Sequence, residues 1–247
     1  GVYGTMNIII PMAGEGTRVK STVPKPLVEV INGKPMIEMA LESLNIDGHY
    51  CFIVRRYNNQ DWNVALRDSI RKTVGQAVIV ELDYLTEGPA ISALHAPQLF
   101  FGDNDLLVTN CDQIMHWNAD KFIDFTKTTD AMGAVVTYET DTPKNSYARV
   151  INNDQYPEFD IVKEKQVISK YSLNGIHWWK HGRLFAQSVE LMMNSNDTVN
   201  GEYYIGPSYN YLAGLKRVYN IDASEHYAVG TLEDIEQYRV LYGNKKN

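Results

Sequence analysis

Ile8-Ile9-Ile10-Pro11-Met12-Ala13-Gly14-Glu15-Gly16-Thr17-Arg18, with Pro24-Lys25-Pro26-Leu27 close behind, is the stretch on which the fold turns. Met6–Ile10 is an unbroken apolar run, and a parallel strand covered on both faces reads this way because neither side meets water. A loop of small residues opens directly after it. Gly14 and Gly16 permit positive φ and carry no Cβ, so backbone N–H groups can converge on phosphate oxygens. In an open α/β sheet such a loop falls at the carboxyl end of the first strand, where ligands bind. Arg18 then reaches the outer phosphates of a triphosphate with its planar fork. Lys25 stands between two prolines, whose rings stiffen the segment that presents it. A stiffly held cation near the inner phosphate brings reacting groups together and offsets charge in the transition state.

A strand followed by G-x-G is a weak signal, shared with dinucleotide-binding folds and many plain turns. The dinucleotide pattern needs a third glycine at position 19, where Val19 stands. The Walker pattern fails too, since Lys25 lies far beyond Gly16 and no Ser or Thr follows it. G-x-G-T-R combined with P-K-P-L is far more specific.

Outward from this stretch, short apolar runs at Tyr50–Val54, Ala77–Leu82 and Leu106–Thr109 alternate with helical patterns at Pro35–Leu44, Asp61–Lys72 and Ala90–Leu99. The alternation predicts an α/β, Rossmann-like, mostly parallel (mixed) sheet with helices on both faces. After about residue 140 the pattern changes. Ala148–Ile151 and Phe159–Val162 read as two strands joined by an Asn/Asp-rich turn. A strand follows at Gly175–Trp179, then helices at Gly182–Met193 and Glu202–Leu215, and a strand at Arg217–Ile221. The final helix is Leu232–Tyr242, with Thr231 and Asp234 as a capping pair. With no linker or repeat in between, residues 6–242 read as one domain. Its nucleotide-binding half covers roughly 6–140 and a small acceptor-binding lobe roughly 141–242; residues 1–5 read as a cloning remnant.

A chain of 247 residues with 44% hydrophobic and 21% charged residues can bury a full core. Its net charge of -7 argues against nucleic-acid binding, which relies on a basic face. Cys51 and Cys111 each sit in an apolar run and read as reduced core residues. No segment reads as a signal peptide or a membrane span, so the cytoplasm follows by default.

With these motifs the chain resembles the sugar-phosphate nucleotidyltransferases, the glucose-1-phosphate thymidylyl-, uridylyl- and cytidylyltransferases. Members carry G-x-G-T-R after the first strand and a P-K-P lysine downstream. The resemblance runs from Met6 to about Tyr242 and implies that Arg18 and Lys25 are catalytic cations. It also implies that Met12, Ala13, Gly14, Glu15, Gly16 and Thr17 hold the nucleotide, and that Gly88, Pro89 and Ala90 lie against its base. Pro11, Met12 and Pro89 depart from the family's usual residues.

Asp112 ends a buried strand beside the phosphate loop, a position suited to holding Mg²⁺ through one or two oxygens with phosphates and water. Related glycosyltransferases would want Asp-x-Asp here, but Ile114 fills the second position. The family often adds a second metal carboxylate near a C-terminal Gly-Thr; Ala228 stands there, and Asp222 is the nearest upstream candidate. By resemblance again, Glu164 and Lys165 contact the sugar phosphate, Asn174 and Gly175 open a small-residue turn that backs the sugar, and Asn200-Gly201-Glu202-Tyr203-Tyr204 completes the acceptor pocket, with Glu202 bonding hydroxyls. Trp178 and Trp179 read as core packing.

The implied function joins a nucleoside triphosphate to a sugar phosphate with Mg²⁺, giving an NDP-sugar for surface polysaccharide or glycoconjugate synthesis and releasing pyrophosphate. A cytidylyltransferase for a non-sugar phosphate such as phosphocholine is the alternative within the class, and a non-catalytic nucleotide sensor the alternative outside it. The expected partners are these small molecules, with no nucleic acid and no membrane; a homo-oligomer is compatible with the sequence.

Overall fold

The computed structural model describes residues 5–14 and 23–243. The apolar run becomes β1 (Asn7–Met12), followed by the short β2 (Glu29–Ile31) and β3 (Lys34–Pro35), α1 (Met36–Leu44), β4 (His49–Arg55), α2 (Gln60–Val74) and β5 (Val78–Leu82). After α3 (Pro89–Ala93) come β6 (Leu106–Thr109), β7 (Gln113–Met115), α4 (Ala119–Thr128) and β8 (Gly133–Glu139). The second half adds β9 (Ser146–Val150), β10 (Phe159–Glu164), β11 (Tyr171–Trp179), α5 (Gly182–Asn194), β12 (Lys216–Ile221), β13 (His226–Ala228) and α6 (Leu232–Tyr242).

In the main sheet β1 lies between β4 and β6, parallel to both, with β5 parallel outside β4. β11 runs antiparallel between β6 and β8, and β12 pairs parallel with β8. The sheet is mixed, with a parallel nucleotide side, as the alternation predicts. Side chains alternate between its faces. Ile8, Ile10, Phe52, Leu107 and Trp178 join α1, α2 and α4 on one face, while Ile9, Ile53, Val108 and Trp179 join α3 and α5 on the other. The two adjacent tryptophans therefore anchor opposite cores, each nearly or fully buried.

β11 carries the join between the two halves of the chain. Its residues Ile176–Trp179 pair with β6, but Ser172 pairs with Tyr147 of the β9–β10 hairpin. Between them, at Asn174 and Gly175, the register shifts against β8. Gly175 has φ +103, and an added Cβ would lie 2.5 Å from the Asn110 side chain, so glycine alone lets the strand change partners here.

Several sequence expectations are corrected. Glu202–Leu215 is not a helix: Val199 and Glu202 close a two-residue turn over Asn200 and Gly201, and only a 3-10 turn at Gly206–Tyr211 follows. Gly201 and the Gly206-Pro207 pair break the pattern, and the backbone of Tyr203 is bonded to residues 87 and 90 instead. The helix read at Ala90–Leu99 stops at Ala93, and after Pro97 a separate 3-10 turn spans Gln98–Phe101. Asn174 and Gly175 form a kink inside β11 rather than a turn before a strand, and β8 and α4 were not anticipated.

Candidate active site

The strand order brings the chemistry together. From β1 the chain winds outward through β4 to β5, then returns to place β6 on the other side of β1. Between β1 and β6 the winding reverses, and ligands of open α/β sheets bind in the crevice at such a reversal, beyond the carboxyl ends of the strands. Met12, Ala13 and Gly14 leave β1 there, and Asn110, Cys111 and Asp112 leave β6 there. Ala13 is buried and Gly14 exposed; Gly14 lies outside the left-handed region, and no described atom comes within 4 Å of its added Cβ. Glu15, Gly16, Thr17 and Arg18 lie outside the described residues.

Lys25 opens a 3-10 turn, Lys25–Leu27, capped by Pro24 in extended geometry. Leu27 N–H donates to Pro24 and Val28 N–H to Lys25, which closes the turn. The side chain reaches Asp112, with Lys25 Nζ 2.7 Å from Asp112 Oδ1. At 13% and 34% side-chain exposure, the lysine is largely enclosed while the carboxylate keeps a face open. Asp112 is braced from the other side by Val229 N–H, which donates to its carbonyl at 2.7 Å, and by the β7–β13 ladder. Neighbouring Cys111 is a buried thiol pushed up to about 12 by burial and the adjacent carboxylate, which removes it as a nucleophile.

Ala228 pairs with Gln113 in that ladder, so the position that lacks the second carboxylate is indeed next to Asp112. Asp222 has a different occupation. Its Oδ1 accepts from Ser224 N–H at 2.9 Å and from the Ser224 hydroxyl at 2.7 Å, while its own N–H donates to Glu225. These bonds form a capping box and hold the carboxyl below its ordinary value. Among the described residues no three His, Cys, Asp or Glu side chains gather as a metal cage. Asp112 offers the hard oxygen that Mg²⁺ favours, and one carboxylate suffices for an ion that completes its shell with water and phosphate oxygens.

Gly88, Pro89 and Ala90 are tied to the second half of the chain. Gly88 has φ +115, and an added Cβ would stand 2.7 Å from both the N and the O of Tyr203. Ala90 N–H donates to Tyr203 O at 3.0 Å, and Tyr203 N–H to Glu87 O at 2.7 Å. Glycine is required because backbone meets backbone. One residue away, Glu202 Oε2 accepts from the Tyr204 hydroxyl at 2.9 Å, and Lys165 Nζ donates to the same hydroxyl at 3.3 Å. Glu164, at the end of β10, accepts from Ser146. Asn174 is buried, its amide donating to Met115 Sδ and its oxygen accepting from Ile176 N–H. The structure thus gathers Lys25 with Asp112, and Lys165 with Glu202 through Tyr204, which sequence reasoning placed in the segment 200–204 without a role of its own. Its contacts join positions far apart in sequence, and no local motif signals them.

The sequence profile described as Nucleotidyl transferase matches residues 7–212. The chain belongs to the nucleotidyl transferase family. Among curated relatives, the bifunctional protein GlmU of Gloeothece citriformis is 26% identical over 248 residues, covering 97% of this chain and 52% of that protein. GlmU of Latilactobacillus sakei is 28% identical over 214 residues, covering 81% of this chain and 42% of its own length. The chain spans about half the length of these relatives. Among solved structures, the nucleoside-diphosphate-sugar pyrophosphorylase of Vibrio cholerae superposes with a TM-score of 0.78 at 22% identity, covering 94% of this chain and 98% of that one. A UDP-glucose pyrophosphorylase solved with UDP-glucose gives 0.75 at 16% identity, covering 98% and 100%. These likenesses establish the Rossmann-like nucleotidyltransferase fold. Among the described residues, no helix is long and apolar enough to cross a membrane.

Proposed function

We propose that this chain is a cytoplasmic nucleotidyltransferase that transfers the nucleotidyl group of a nucleoside triphosphate to a sugar phosphate and releases pyrophosphate. The observation that carries the reading is the Lys25–Asp112 contact of 2.7 Å at the reversal between β1 and β6. A cation and a metal-binding carboxylate share the crevice in which the fold receives ligands. An oxygen of the acceptor phosphate attacks the α-phosphorus in line; the new P–O bond forms as the bond to the β-phosphate bridging oxygen breaks. No general base is needed, since the attacking phosphate oxygen already carries negative charge near neutral pH. Lys25 holds the inner phosphate and offsets its developing charge, and Arg18 takes the departing pyrophosphate. The loop Met12–Thr17 cradles the triphosphate, while Gly88, Pro89 and Ala90 line the base.

Asp112 would hold Mg²⁺, which when bound neutralises phosphate charge and orients the triphosphate. Asp222 is committed to its cap, so the site has Asp112 as its carboxylate. Glu164, Lys165, Asn174, Gly175 and Glu202 face the acceptor. The NDP-sugar product suits a route to surface polysaccharide or glycoconjugate.

The test is a matrix of the common triphosphates against phosphorylated sugars and alcohols with Mg²⁺, read by pyrophosphate release. Release with one sugar phosphate is the expected result. Release only with an alcohol phosphate such as phosphocholine moves the acceptor out of the sugar class, and triphosphate binding without any release turns the chain into a sensor.

A further inference from the structure

Tyr204 stands where the two halves of the site touch. Its predecessor Tyr203 exchanges backbone hydrogen bonds with Glu87 and Ala90, so Tyr204 emerges from a segment fixed against the nucleotide loop. Its hydroxyl donates to Glu202 Oε2 at 2.9 Å and accepts from Lys165 Nζ at 3.3 Å. The same ammonium lies 5.2 Å from the centroid of the Tyr204 ring, within reach of a cation–π contact. Lys165 also has a left-handed backbone, φ 58, with its N–H donated to Asn145 O. A long side chain seldom occupies that region unless its surroundings impose it, and such residues concentrate at functional sites. The bend after β10 aims the lysine, and the phenol decides where it stops.

Without the hydroxyl, Lys165 and Glu202 would be free to collapse into a direct ion pair, in which neither charge faces a ligand. With it, one neutral atom engages both and keeps them apart. We infer that Tyr204 is a positioning residue that presets Lys165 and Glu202 as a spaced cation–carboxylate pair, the first for the acceptor's phosphate and the second for its hydroxyls. This rests on the reading in which Lys165 and Glu202 face the acceptor.

Tyr204→Phe keeps the ring and removes both hydroxyl bonds; Tyr204→Leu removes the ring as well. With whichever acceptor releases pyrophosphate in the matrix, the Phe variant raises the acceptor KM about five- to tenfold, the effect of one lost bridging hydrogen bond. Its kcat and its triphosphate KM stay within about twofold of wild type, the split expected for lost acceptor binding. A second readout needs no acceptor: limited acetylation by N-hydroxysuccinimidyl acetate, with Lys165 scored by mass spectrometry against exposed Lys163, two residues earlier in β10. Lys165 labelling falls in both variants, as the ammonium closes on Glu202, while Lys163 stays constant. Unchanged Lys165 labelling in both variants overturns the bridge. A parallel fall in kcat, both KM values and melting temperature overturns the positioning role in favour of a structural one. If no acceptor releases pyrophosphate, the transferase reading fails, and the labelling alone decides whether Tyr204 sets the pair.

Discussion

The site holds two lysine–carboxylate pairs, and they are built differently. On the triphosphate side Lys25 touches Asp112 directly at 2.7 Å, with the lysine largely enclosed. On the proposed acceptor side Lys165 and Glu202 are joined through the Tyr204 hydroxyl, at 3.3 and 2.9 Å, with the lysine and tyrosine half-buried and the carboxylate exposed. The first pair rests on a proline-stiffened turn and on strand ends, the second on a turn of Asn200 and Gly201 with φ 52 and 77. A triphosphate has the same shape whatever base it carries, so a rigid direct pair suits it; acceptors differ, and a bridged pair at the rim can be respaced. Under the proposed function, catalysis belongs to the enclosed pair and acceptor selectivity to the bridged one.

The largest expected effect breaks the comparison at its rigid end. Lys25→Ala should lower kcat for pyrophosphate release about a hundred- to a thousandfold, the loss seen when one preorganised charge-stabilising donor is removed. Circular dichroism and a preserved melting temperature confirm the fold. A folded variant with near-normal turnover would make the enclosed pair structural and dissolve the contrast. Glu202→Gln should instead act on the acceptor KM by about tenfold or less, with kcat retained, as befits an exposed hydrogen bond to a ligand.

Acid should weaken the supports of the Lys25–Asp112 pair. His177, inside β11 beside the kink, and His226, in the strand braced against Asp112, are each held at about 4 by burial, against an ordinary 6.5. Burial favours the neutral ring in the folded chain, while the unfolded chain takes up its proton near 6.5. Stability is therefore full above pH 6.5, declines as pH falls from 6.5 to about 4, and loses nothing further from these two groups below that. The slope is about 1.4 kcal/mol per pH unit for each histidine, checked by chemical denaturation at pH 7, 5.5 and 4. A flat profile would show that both rings titrate normally, and half the slope that one of them does.

Two glycines give the smaller effects and separate fold from approach. Gly88→Ala places a Cβ against the Tyr203 backbone at a left-handed φ and should destabilise by about 1–3 kcal/mol. For a chain of this size that corresponds to a drop of roughly 2–4 °C in Tm per kcal/mol. Gly14→Ala meets no described atom and has ordinary φ, so it should change stability by less than about 0.5 kcal/mol. If it raises the triphosphate KM all the same, Gly14 is kept for the approach of phosphate. If Gly88→Ala leaves Tm unchanged, the joint between the loop and Tyr203 is softer than drawn here.

The parallel half of the fold was legible because its central strands carry apolar runs: Ile8, Ile9 and Ile10, each fully buried, need no partner to be read as doubly covered. The pairing of Lys25 with Asp112 was legible in kind, since both follow strands that must neighbour one another in such a sheet. The second half was not. Residues 202–215 carry apolar and aromatic side chains at helical spacing, but hydrogen bonds to residues 87 and 90 hold their start extended, so tertiary contact overrides local preference. Asp222 looked available only because its cap was passed over: Asp222 and Glu225 stand at capping-box spacing with Ser224 between them, a signal local to the sequence. Tyr204 was legible as part of the segment 200–204 but not as a bridge: that depends on where Lys165 ends, and so on a left-handed residue no pattern announces.

The account depends on Asp112 being where metal and triphosphate meet. Mn²⁺ binding followed by electron paramagnetic resonance, alone and with each common triphosphate, measures this in wild type and in Asp112→Asn. Wild type should bind Mn²⁺ tightly once its triphosphate is present, and the Asn variant should lose that ternary signal while keeping its melting temperature. An undiminished Mn²⁺–triphosphate complex in the Asn variant would contradict the account.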